Sequence, residues 1–509
     1  MRGPHNIWRL IRTGATFERT GAMRVALEAL DAPPGLRLAA RVLGWPFQWL
    51  GLRGDPTQPP VLRALTALGP AYIKFGQIMS TRPDVVGSDL AQQLRVLQDR
   101  LPPFPVAAAR EAIASELGQP VESLFSHISE PVAAASIAQV HKATVAATGE
   151  EVAVKVLRPG IERAFQRDID AFYFAAQIVE MLAPSARRLH PLDVIRHFEG
   201  VVAGELDLRL ESSAASEFKA NTEGDLRIEI PGVRWELSAR RVMTLDWVEG
   251  INLGDLDALN DTGLDLEDLS ERVLQMFLSH ALRDGYFHAD MHQGNLKVGS
   301  DGQIIALDFG IMGRIDAYTR RVYAEILIGF IRRDYRRVAE VHFEAGYVPA
   351  DRDIDEFAQA LRAVGEPIFG MEASQISMAR LLAYLFEVTE RFGMETRTEL
   401  ILLQRTMVVV EGVARSLNPN INIWTVAHPV VENYIRRNVG PLALTRDLGA
   451  TARVLMKFGP KLPQLVEAVL RRELHPPVEP PLRNNRHVLT FALGLAVGAA
   501  VVAGIGLVL

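Results

Sequence analysis

Three short polar clusters, each directly after or within an apolar stretch, restrict the possible fold of this chain more than any other feature. They read Val152-Ala153-Val154-Lys155, His288-Ala289-Asp290-Met291-His292-Gln293-Gly294-Asn295, and Asp308-Phe309-Gly310 after the run Ile304-Ile305-Ala306-Leu307. Each cluster alone could arise by chance, but their shared order and spacing are hard to explain that way. A fold compatible with them should bring an ammonium group, two carboxylates and a carboxamide to one site.

The chemistry that uses these groups in this order is phosphoryl transfer as kinases perform it. A lysine at a strand end reaches nucleotide phosphates, and an aspartate followed five positions later by an asparagine matches a kinase catalytic loop. We therefore predict ATP and Mg²⁺ as cofactors, with Lys155 on the phosphates and with Asn295 and Asp308 on the metal. Asp290 is predicted to orient the attacking water or acceptor hydroxyl.

A rival interpretation of the second cluster is a metal site built from His288, Asp290 and His292 alone. Zinc and non-haem iron accept such ligands. This interpretation leaves Asn295 and Asp308 unexplained. We expect instead that His288 has a structural role, with its ring hydrogen-bonded to nearby backbone.

Two supporting features of a kinase site are less clearly marked in the sequence. A strand lysine of this kind needs a carboxylate partner from a helix, and Glu205, Asp207 and Glu211 are all candidates that spacing alone does not separate. The usual glycine-rich phosphate loop is replaced by an alanine-rich loop, which is predicted to contact the nucleotide through Ala133, Ala134, Ala135, Ser136, Ile137, Ala138, Gln139 and Val140. Because alanine adopts positive φ less freely than glycine, we expect an altered phosphate lid.

The periodicity of apolar residues predicts an α+β fold with a small strand-bearing lobe before a large helical lobe. Prolines at 102, 103 and 105 end a helical region, and a helix is predicted from Val106 to Leu117, stopped by Gly118. The predicted strands are 138–145 and 151–156, joined as a hairpin, and 241–248. Residues 161–220 and most of the chain from 265 onward read as helical.

The two ends of the chain suggest contact with a membrane. Residues 488–509 contain no charged side chain, and 22 residues of helix would span about 33 Å. Arg483 and Arg486 precede this segment, which predicts a C-terminal membrane helix with the bulk of the protein on the cytoplasmic side. The arginine-containing start, residues 1–59, can lie on an anionic membrane surface, act as a mitochondrial presequence, or form an ordinary solvated helix.

Composition removes several classes of function. The chain has 509 residues, no cysteine and a formal net charge of −6. Absence of cysteine excludes disulfides, iron–sulfur clusters and haem–thiolate chemistry, and no G-x-G-x-x-G pattern offers a flavin site, so a direct hydroxylase is disfavoured. The acidic balance argues against nucleic acid as a partner.

From about residue 60 to 430 the chain resembles the UbiB-type atypical kinases, which include the ADCK group of eukaryotes. The marks of this resemblance are Lys74-Phe75-Gly76-Gln77, which fits the family's K-x-G-Q signature, the alanine-rich loop, Glu205-Leu206-Asp207, Leu403-Gln404-Arg405-Thr406 and Glu411-Gly412-Val413. The resemblance implies that Lys155 pairs with Glu211. It also implies that Lys74 and Gln77, with Glu205 and Asp207, form a regulatory gate over the site, with Lys74 held by both carboxylates.

The resemblance further implies a two-lobed, protein-kinase-like fold with a helical N-terminal extension. We expect the extension at 60–105, the N-lobe at 106–250, the C-lobe at 251–440, a juxtamembrane region at 441–487 and the membrane helix at 488–509. The implied function is a membrane-anchored kinase or ATPase of ubiquinone biosynthesis, at a bacterial inner membrane rather than a mitochondrial one. Its expected partners are membrane lipids, polyprenylated phenol or quinone intermediates and other enzymes of that pathway. The alternatives are a true protein kinase and an ATP-binding scaffold.

Overall fold

The computed structural model describes residues 5–29, 34–80, 86–94, 97, 102–182, 190–225, 227–369, 384, 387–388, 391–394 and 398–438. The predicted membrane helix at 488–509 and the juxtamembrane region at 441–487 lie outside these residues. Within them, no helix is both long and apolar enough to cross a membrane.

Six helices form the N-terminal part of the described chain. They are α1 (His5–Thr20), α2 (Ala22–Ala29), α3 (Pro34–Gly44), α4 (Pro60–Leu68), α5 (Pro70–Met79) and α6 (Ser88–Leu94), and a 3₁₀ helix, Trp45–Leu50, continues α3. Prolines open α4 and α5 because the first helical turn needs no amide donor. A side chain at Gly76 would meet Leu65 and Leu97 at 2.4–2.7 Å, so the glycine lets these segments of the extension pack closely.

A four-stranded antiparallel sheet with the order β1-β2-β3-β5 forms the small lobe. Its strands are β1 (Phe125–Ala134), β2 (Ala138–Val145), β3 (Glu151–Leu157) and β5 (Val242–Asp246), and its helices are α7 (Val106–Leu117), α8 (Val121–Leu124), α9 (Ile161–Leu182), α10 (Pro191–Glu205) and α11 (Leu208–Asn221). Helix α7 has the bounds that the sequence predicts, and Gly118 ends it at φ +69°. The predicted hairpin is also present, whereas β1 was not anticipated.

Successive side chains of β3 alternate between the apolar core and the face of the sheet that carries Lys155. Val152, Val154 and Val156 are fully buried and pack with Ile113 of α7 in a small apolar core. Since successive strand residues point to opposite faces, Lys155 lies on the other face of the sheet. In the ladder Lys155 is paired with Val140 on one side and Met243 on the other.

The large lobe is mainly helical and contains two small sheets. Its helices are α12 (Leu256–Asp261), α13 (Leu266–Ser279), α14 (Ala317–Ile331), α15 (Tyr335–Glu344), α16 (Ile354–Phe369), α17 (Thr398–Leu417) and α18 (Ile423–Asn438), and its strands are β6 (Ile251–Asn252), β7 (Tyr286–His288), β8 (Leu296–Val298), β9 (Ile304–Ala306) and β10 (Met312–Arg314). β7 pairs with β10, and β8 lies between β6 and β9. A short strand from before the predicted lobe boundary, β4 (Ile228–Glu229), joins the second sheet beside β9.

One large apolar core joins the extension to both lobes. Tyr72 and Phe75 of α5 pack on Phe172 of α9, with ring centroids 4.8 and 5.2 Å apart, and Phe75 also contacts Phe198 of α10 at 5.4 Å. The same core continues through α13 and α17 of the large lobe. The extension is therefore part of the folded body, packed against the helices that precede α11.

Candidate active site

Lys155 is the centre of an ion cluster between the two lobes. Its Nζ atom lies 2.6 Å from Oε1 of Glu211 and 3.3 Å from Oδ2 of Asp308. Glu211 belongs to the first turn of α11, and its side chain is only 10% exposed. Of the three candidate carboxylates in the sequence, the structure therefore brings Glu211 to the strand lysine, as the family resemblance implies.

The cluster contains more carboxylates than ammonium groups, and this sets the protonation states of Lys155, Glu211 and Asp308. Burial alone would lower the pKa of Lys155, but Asp308 and Glu211 raise it above its ordinary value, so the ammonium stays charged. Burial raises the pKa of Glu211, and the neighbouring Asp308 and Glu205 add to that rise against the attraction of Lys155. The ammonium of Lys155 holds the pKa of Asp308 below its usual range. The site thus keeps a charged lysine and a charged aspartate at neutral pH.

Asp308 reaches the cluster through the β8–β9 hairpin. Leu296 is paired with Ala306, and the next amide, that of Leu307, donates to the carbonyl of Asn295 at 2.8 Å. The hairpin therefore places Asn295 and Asp308 at the same end of the sheet. Asp308 has φ +55°, a left-handed conformation that aspartate tolerates better than most residues, and its Oδ1 accepts from the Gly310 amide at 3.2 Å.

The aromatic residue after Asp308 ties this turn to the helix that carries Glu211. Phe309 is buried, and its ring lies 5.7 Å from that of Phe218 on α11 and 5.6 Å from that of His288. One apolar contact thus links α11, the Asp308 turn and the catalytic loop. Movement of any of these elements would disturb the others.

The buried ring of His288 holds the loop that carries Asp290 through two hydrogen bonds to backbone. Its Nδ1 accepts the amide proton of Asp290 at 3.1 Å, so its Nε2 carries the proton that is donated to the Leu307 carbonyl at 3.0 Å. Burial lowers the pKa of His288, which keeps the ring neutral in this role. The expected structural role of His288 is confirmed by these contacts. Because both ring nitrogens of His288 are occupied by backbone, the rival metal site with Asp290 and His292 is wrong. Among the described residues, no three His, Asp or Glu side chains are grouped so that they could hold a metal ion.

Asp290 and Asn295 face the site with free acceptor capacity. The Nδ2 group of Asn295 donates to the carbonyl of Asp290 at 3.0 Å, which leaves its Oδ1 available to a cation. The Asp290 carboxylate is 38% exposed, and His292 Nε2 is 3.8 Å away. Helix α17 supports the loop, since Thr406 Oγ1 donates to the Ala289 carbonyl at 3.2 Å.

The alanine-rich loop is a tight turn between two strands. Ala133 and Ala134 end β1, Ala138, Gln139 and Val140 begin β2, and the Ala135 amide donates to the Ala138 carbonyl at 2.8 Å. None of its eight residues has a positive φ. Among the described residues the hydroxyl of Ser136 has no hydrogen-bond partner although it is buried. A buried hydroxyl without a protein partner is able to donate to a bound ligand, so Ser136 is the loop's best candidate for contact with a phosphate oxygen.

Gln139, predicted as a nucleotide contact, lies on the opposite face of the sheet from Lys155. It is paired with Val156, one position out of phase with the Val140–Lys155 pair. Its amide group donates to the Phe104 carbonyl at 3.1 Å and accepts from the Phe104 amide at 3.0 Å. Gln139 therefore holds the proline-rich segment before α7 and does not point toward the cluster.

Arg158 was not predicted, and it holds the alanine-rich loop in place. Its amide donates to Ile137 O at 2.8 Å, and its guanidinium donates to Ala135 O at 3.1 Å and to Pro102 O at 2.7 Å. The guanidinium also lies 5.4 Å from the ring of Phe104. In the sequence, the signal that could have pointed to this role of Arg158 is its position directly after the strand that carries Lys155.

Of the contacts predicted for the gate, the Lys74–Glu205 ion pair is present. Lys74 Nζ lies 2.5 Å from Glu205 Oε1, and both side chains are largely buried. Gln77, one turn further along α5, donates to the Leu97 carbonyl at 3.3 Å. Asp207 was predicted to engage Lys74 as well, and this is wrong. Its carboxylate caps α11 and forms a two-pronged pair with Arg209 at 2.6–2.8 Å, because a helix start and an arginine two residues away satisfy the charge locally.

The groups that are present fit a nucleotide with Mg²⁺. Mg²⁺ prefers oxygen ligands, which the Asp308 carboxylate and the Asn295 carboxamide provide. The single positive charge of Lys155 stands against the three carboxylates Glu211, Asp308 and Asp290, and a divalent cation would balance this excess. Lys155 and Ser136 offer donors to phosphate oxygens.

Comparisons with known proteins agree with this geometry. The family profile described as "ABC1 atypical kinase-like domain" matches residues 96–342, and that of the "UbiB helical domain" matches residues 361–422. A protein of Marinobacter nauticus named "Probable protein kinase UbiB" is 40% identical over 434 residues, which are 84% of this chain and 79% of the relative. A protein of the same name from Azotobacter vinelandii is 40% identical over 474 residues, 91% of this chain and 87% of the relative.

A further relative of that name, from Pseudomonas paraeruginosa, is 37% identical over 503 residues, 97% of this chain and 93% of the relative. Among solved structures, that of Rv3197 with erythromycin from Mycobacterium tuberculosis matches with a TM-score of 0.51 and 24% identity, covering 71% of this chain and 92% of the other. That likeness supports the kinase-like fold. Since curated relatives about 40% identical cover most of this chain, and since the site has the ion pairs of a kinase, the chain belongs to the ABC1/UbiB family of atypical kinases.

Proposed function

We propose that this protein uses Mg·ATP as a membrane-associated phosphotransferase or ATPase that supports ubiquinone biosynthesis. The observation that carries the proposal is the ion cluster of Lys155, Glu211 and Asp308, next to a loop that presents Asp290 and Asn295. Strand lysine, helix glutamate and turn aspartate are the parts that position and neutralise a transferring phosphoryl group. The UbiB name of the curated relatives supports the pathway.

In this proposal each side chain has one task. Glu211 holds Lys155 so that its ammonium can contact the α- and β-phosphates. Asp308 and Asn295 would hold Mg²⁺, which neutralises charge on the phosphate oxygens. Asp290, whose carboxylate is partly exposed, would accept a hydrogen bond from the attacking water or acceptor hydroxyl and so aim its oxygen at the phosphorus.

A gate of this kind would favour a small acceptor over a protein substrate. The Lys74–Glu205 pair is close enough to the active site that Glu205 contributes to the raised pKa of Glu211. A peptide needs an open groove beside Asp290, and an extension held over the site by the Lys74–Glu205 pair would obstruct it. We therefore favour a polyprenylated phenolic lipid, whose head group is compact, as the molecule on which ATP turnover acts.

We also propose where the protein would meet such a substrate and with which partners. The lipid intermediate would be met at a bacterial inner membrane, with the catalytic lobes on the cytoplasmic side and residues 488–509 as the anchor. Membrane lipids and other enzymes of ubiquinone biosynthesis would be the partners. The uncharged run at 488–509 and the arginines before it support this arrangement.

ATP turnover by the purified full-length protein on liposomes tests the proposal. The assay is run with and without a 2-alkylphenol as head-group analogue, and with Asp290→Asn as the variant that lacks the proposed orienting carboxylate. We expect Mg²⁺-dependent turnover that the phenol stimulates and that the variant loses. Turnover absent under all conditions, or equal in Asp290→Asn, would show that this site does not work as proposed.

A further inference from the structure

The N-terminal helices carry an apolar stripe that faces solvent. Half of the large hydrophobic side chains that are exposed in the described part of the chain lie between residues 7 and 49. Four of them, Leu38, Val42, Trp45 and Trp49, follow one another at spacings of four, three and four residues along α3 and the 3₁₀ helix after it. On α3 that spacing places Leu38 and Val42 on one side of the helix, and Trp45 and Trp49 are exposed on the 3₁₀ helix that continues it. We call these four residues the docking surface.

The exposure of the docking surface is not the result of a loosely attached segment. The end of the 3₁₀ helix is fixed to α1, since Arg19 donates to the Gly51 carbonyl at 2.6 Å and the Leu52 amide donates to Thr16 Oγ1 at 3.0 Å. Gly51 packs so closely on the α1 backbone that a side chain there would meet the Ala15 carbonyl at 2.3 Å. Nevertheless Trp45 and Trp49 remain 71% and 74% exposed. The helix is held in place with its apolar side outward.

The composition of this region indicates what covers the surface. Residues 1–59 contain eight arginines, no lysine and four acidic residues, a net charge of +4 in a chain whose total is −6. On α1 the exposed Trp8 shares a helix face with Arg12 and Arg19, which are four and eleven residues further on. Indole rings prefer the boundary between water and acyl chains, and arginines are attracted to anionic head groups.

We propose that the docking surface binds the face of an anionic lipid bilayer, with Trp45 and Trp49 inserted at the head-group level. A second copy of the chain would bring two regions of charge +4 together, whereas anionic lipid complements that charge. Such binding would be peripheral. It depends neither on residues 488–509 nor on phosphoryl transfer, and it would hold the catalytic lobes in a fixed orientation on the membrane.

Site-directed spin labelling of the full chain tests this proposal, because the sequence contains no native cysteine. Nitroxides are placed on Trp45→Cys and Trp49→Cys, and on Trp235→Cys as a matched control, since Trp235 is an exposed tryptophan of the small lobe. Collision with oxygen and with a water-soluble nickel chelate is measured by electron paramagnetic resonance on vesicles of phosphatidylcholine with and without phosphatidylglycerol.

On vesicles with phosphatidylglycerol we expect a several-fold higher ratio of oxygen to nickel collisions at 45 and 49 than at 235. The ratio at 45 and 49 should fall without the anionic lipid, and Asp308→Asn should leave it unchanged. Labels at 45 and 49 as open to nickel as the label at 235 would overturn the proposal. Dipolar broadening between copies at 45 or 49, with no gain in oxygen collisions, would overturn it in favour of a protein contact.

Discussion

Asp308 is the residue on which the proposed metal site depends. We expect Asp308→Asn to abolish Mg²⁺-dependent nucleotide binding, because the carboxamide cannot neutralise a divalent cation. Lys155 would keep its 2.6 Å contact with Glu211, so the fold should persist. Binding of a fluorescent ATP analogue, titrated with Mg²⁺, gives the affinity, and a thermal melt checks the fold.

Asp301→Asn is the matched control for this experiment. Asp301 lies in the turn of the same β8–β9 hairpin and is exposed, with Ser300 as its side-chain partner at 3.3 Å. This variant should bind nucleotide like the parent. If Asp308→Asn also retains full affinity for Mg·ATP, the assignment of this turn as the metal site fails.

Lys74 is expected to act through Glu205 and not as a phosphate ligand. Lys74→Ala leaves a carboxylate that is 14% exposed without this ammonium, a change that typically costs about 3–5 kcal/mol of folding free energy. We expect lost pathway function with ATP binding largely retained. Growth on a respiratory carbon source, in a strain that lacks its own copy, measures the function.

The double variant Lys74→Ala with Glu205→Ala separates the ion pair from other effects of Lys74. Removing both charges should cost less stability than Lys74→Ala alone, because the buried carboxylate that has lost this ammonium is removed as well. Arg209→Ala, which leaves Asp207 without its partner at the start of α11, should affect growth much less. Full rescue of growth by Lys74→Ala would contradict the role of the gate.

His342 makes a separate contribution to acid stability. Burial lowers its pKa to about 4 from an ordinary 6.5, and its Nδ1 donates to the Val338 carbonyl at 2.7 Å. Between pH 6.5 and 4 the imidazole is protonated in the unfolded chain but stays neutral in the folded chain. The free energy of unfolding therefore falls as the pH falls, by up to about 3 kcal/mol. His342→Gln should make the melting temperature less dependent on pH between 6.5 and 4. His190→Gln, a change at an exposed position, should not. Equal pH profiles for His342→Gln and the parent would contradict the assignment.

At the scale of elements, the alanine-rich loop depends on Arg158. The guanidinium joins Ala135 O to Pro102 O, so the loop and the end of the extension are held as one unit. Arg158→Lys keeps the charge but loses the planar fork. We expect it to change ATP affinity in the same direction as Ala135→Gly, which loosens the same turn by a different route.

The double variant tests whether Arg158 and Ala135 act on one turn. If both single changes release the same constraint, their effects on the dissociation constant for ATP should be clearly less than additive. Arg163→Lys, on the neighbouring helix α9, serves as the control. Strictly additive effects would mean that Arg158 acts elsewhere.

Element prediction from sequence succeeded where local signals decide the structure. Prolines before α7 and Gly118 after it define that helix, and the turn at Thr148–Glu150 defines the β2–β3 hairpin. β1 was missed because its register against β2 shifts three times, which breaks the alternation of buried residues. β4 has two residues and depends entirely on its partner β9.

The site residues were likewise predicted correctly where a local motif marks them, and incorrectly where their position depends on other parts of the fold. Lys155, Asp290, Asn295 and Asp308 are marked by short motifs at strand ends. The structure joins Lys155 to Asp308, and it places the loop of Asp290 and Asn295 beside the Asp308 turn. The misplaced residues, Gln139 and Asp207, depend on strand register and on helix capping, neither of which the motif reports. The choice of Glu211 as the partner of Lys155 came from the family resemblance, because three carboxylates lie within seven residues of one another.

For the whole molecule, the aromatic packing of α5 on α9 and α10 makes the extension part of the same core as the catalytic lobes. All contacts of the ion cluster and of the gate that are discussed above lie before residue 439. Catalysis and the predicted anchor should therefore be separable by deletion.

Removal of residues 488–509 tests that separation. We expect the shortened chain to bind nucleotide with unchanged affinity and to be released from membranes by carbonate, because the uncharged run that could span the bilayer is gone. Binding to phosphatidylglycerol vesicles should persist at low salt through the docking surface and weaken as salt screens the arginines. The further change Trp45→Glu with Trp49→Glu should remove this residual binding, and Trp235→Glu should not. A shortened chain that still resists carbonate extraction would place the anchor elsewhere, and one that no longer binds nucleotide would show that the C-terminal segment contributes to the folded lobes.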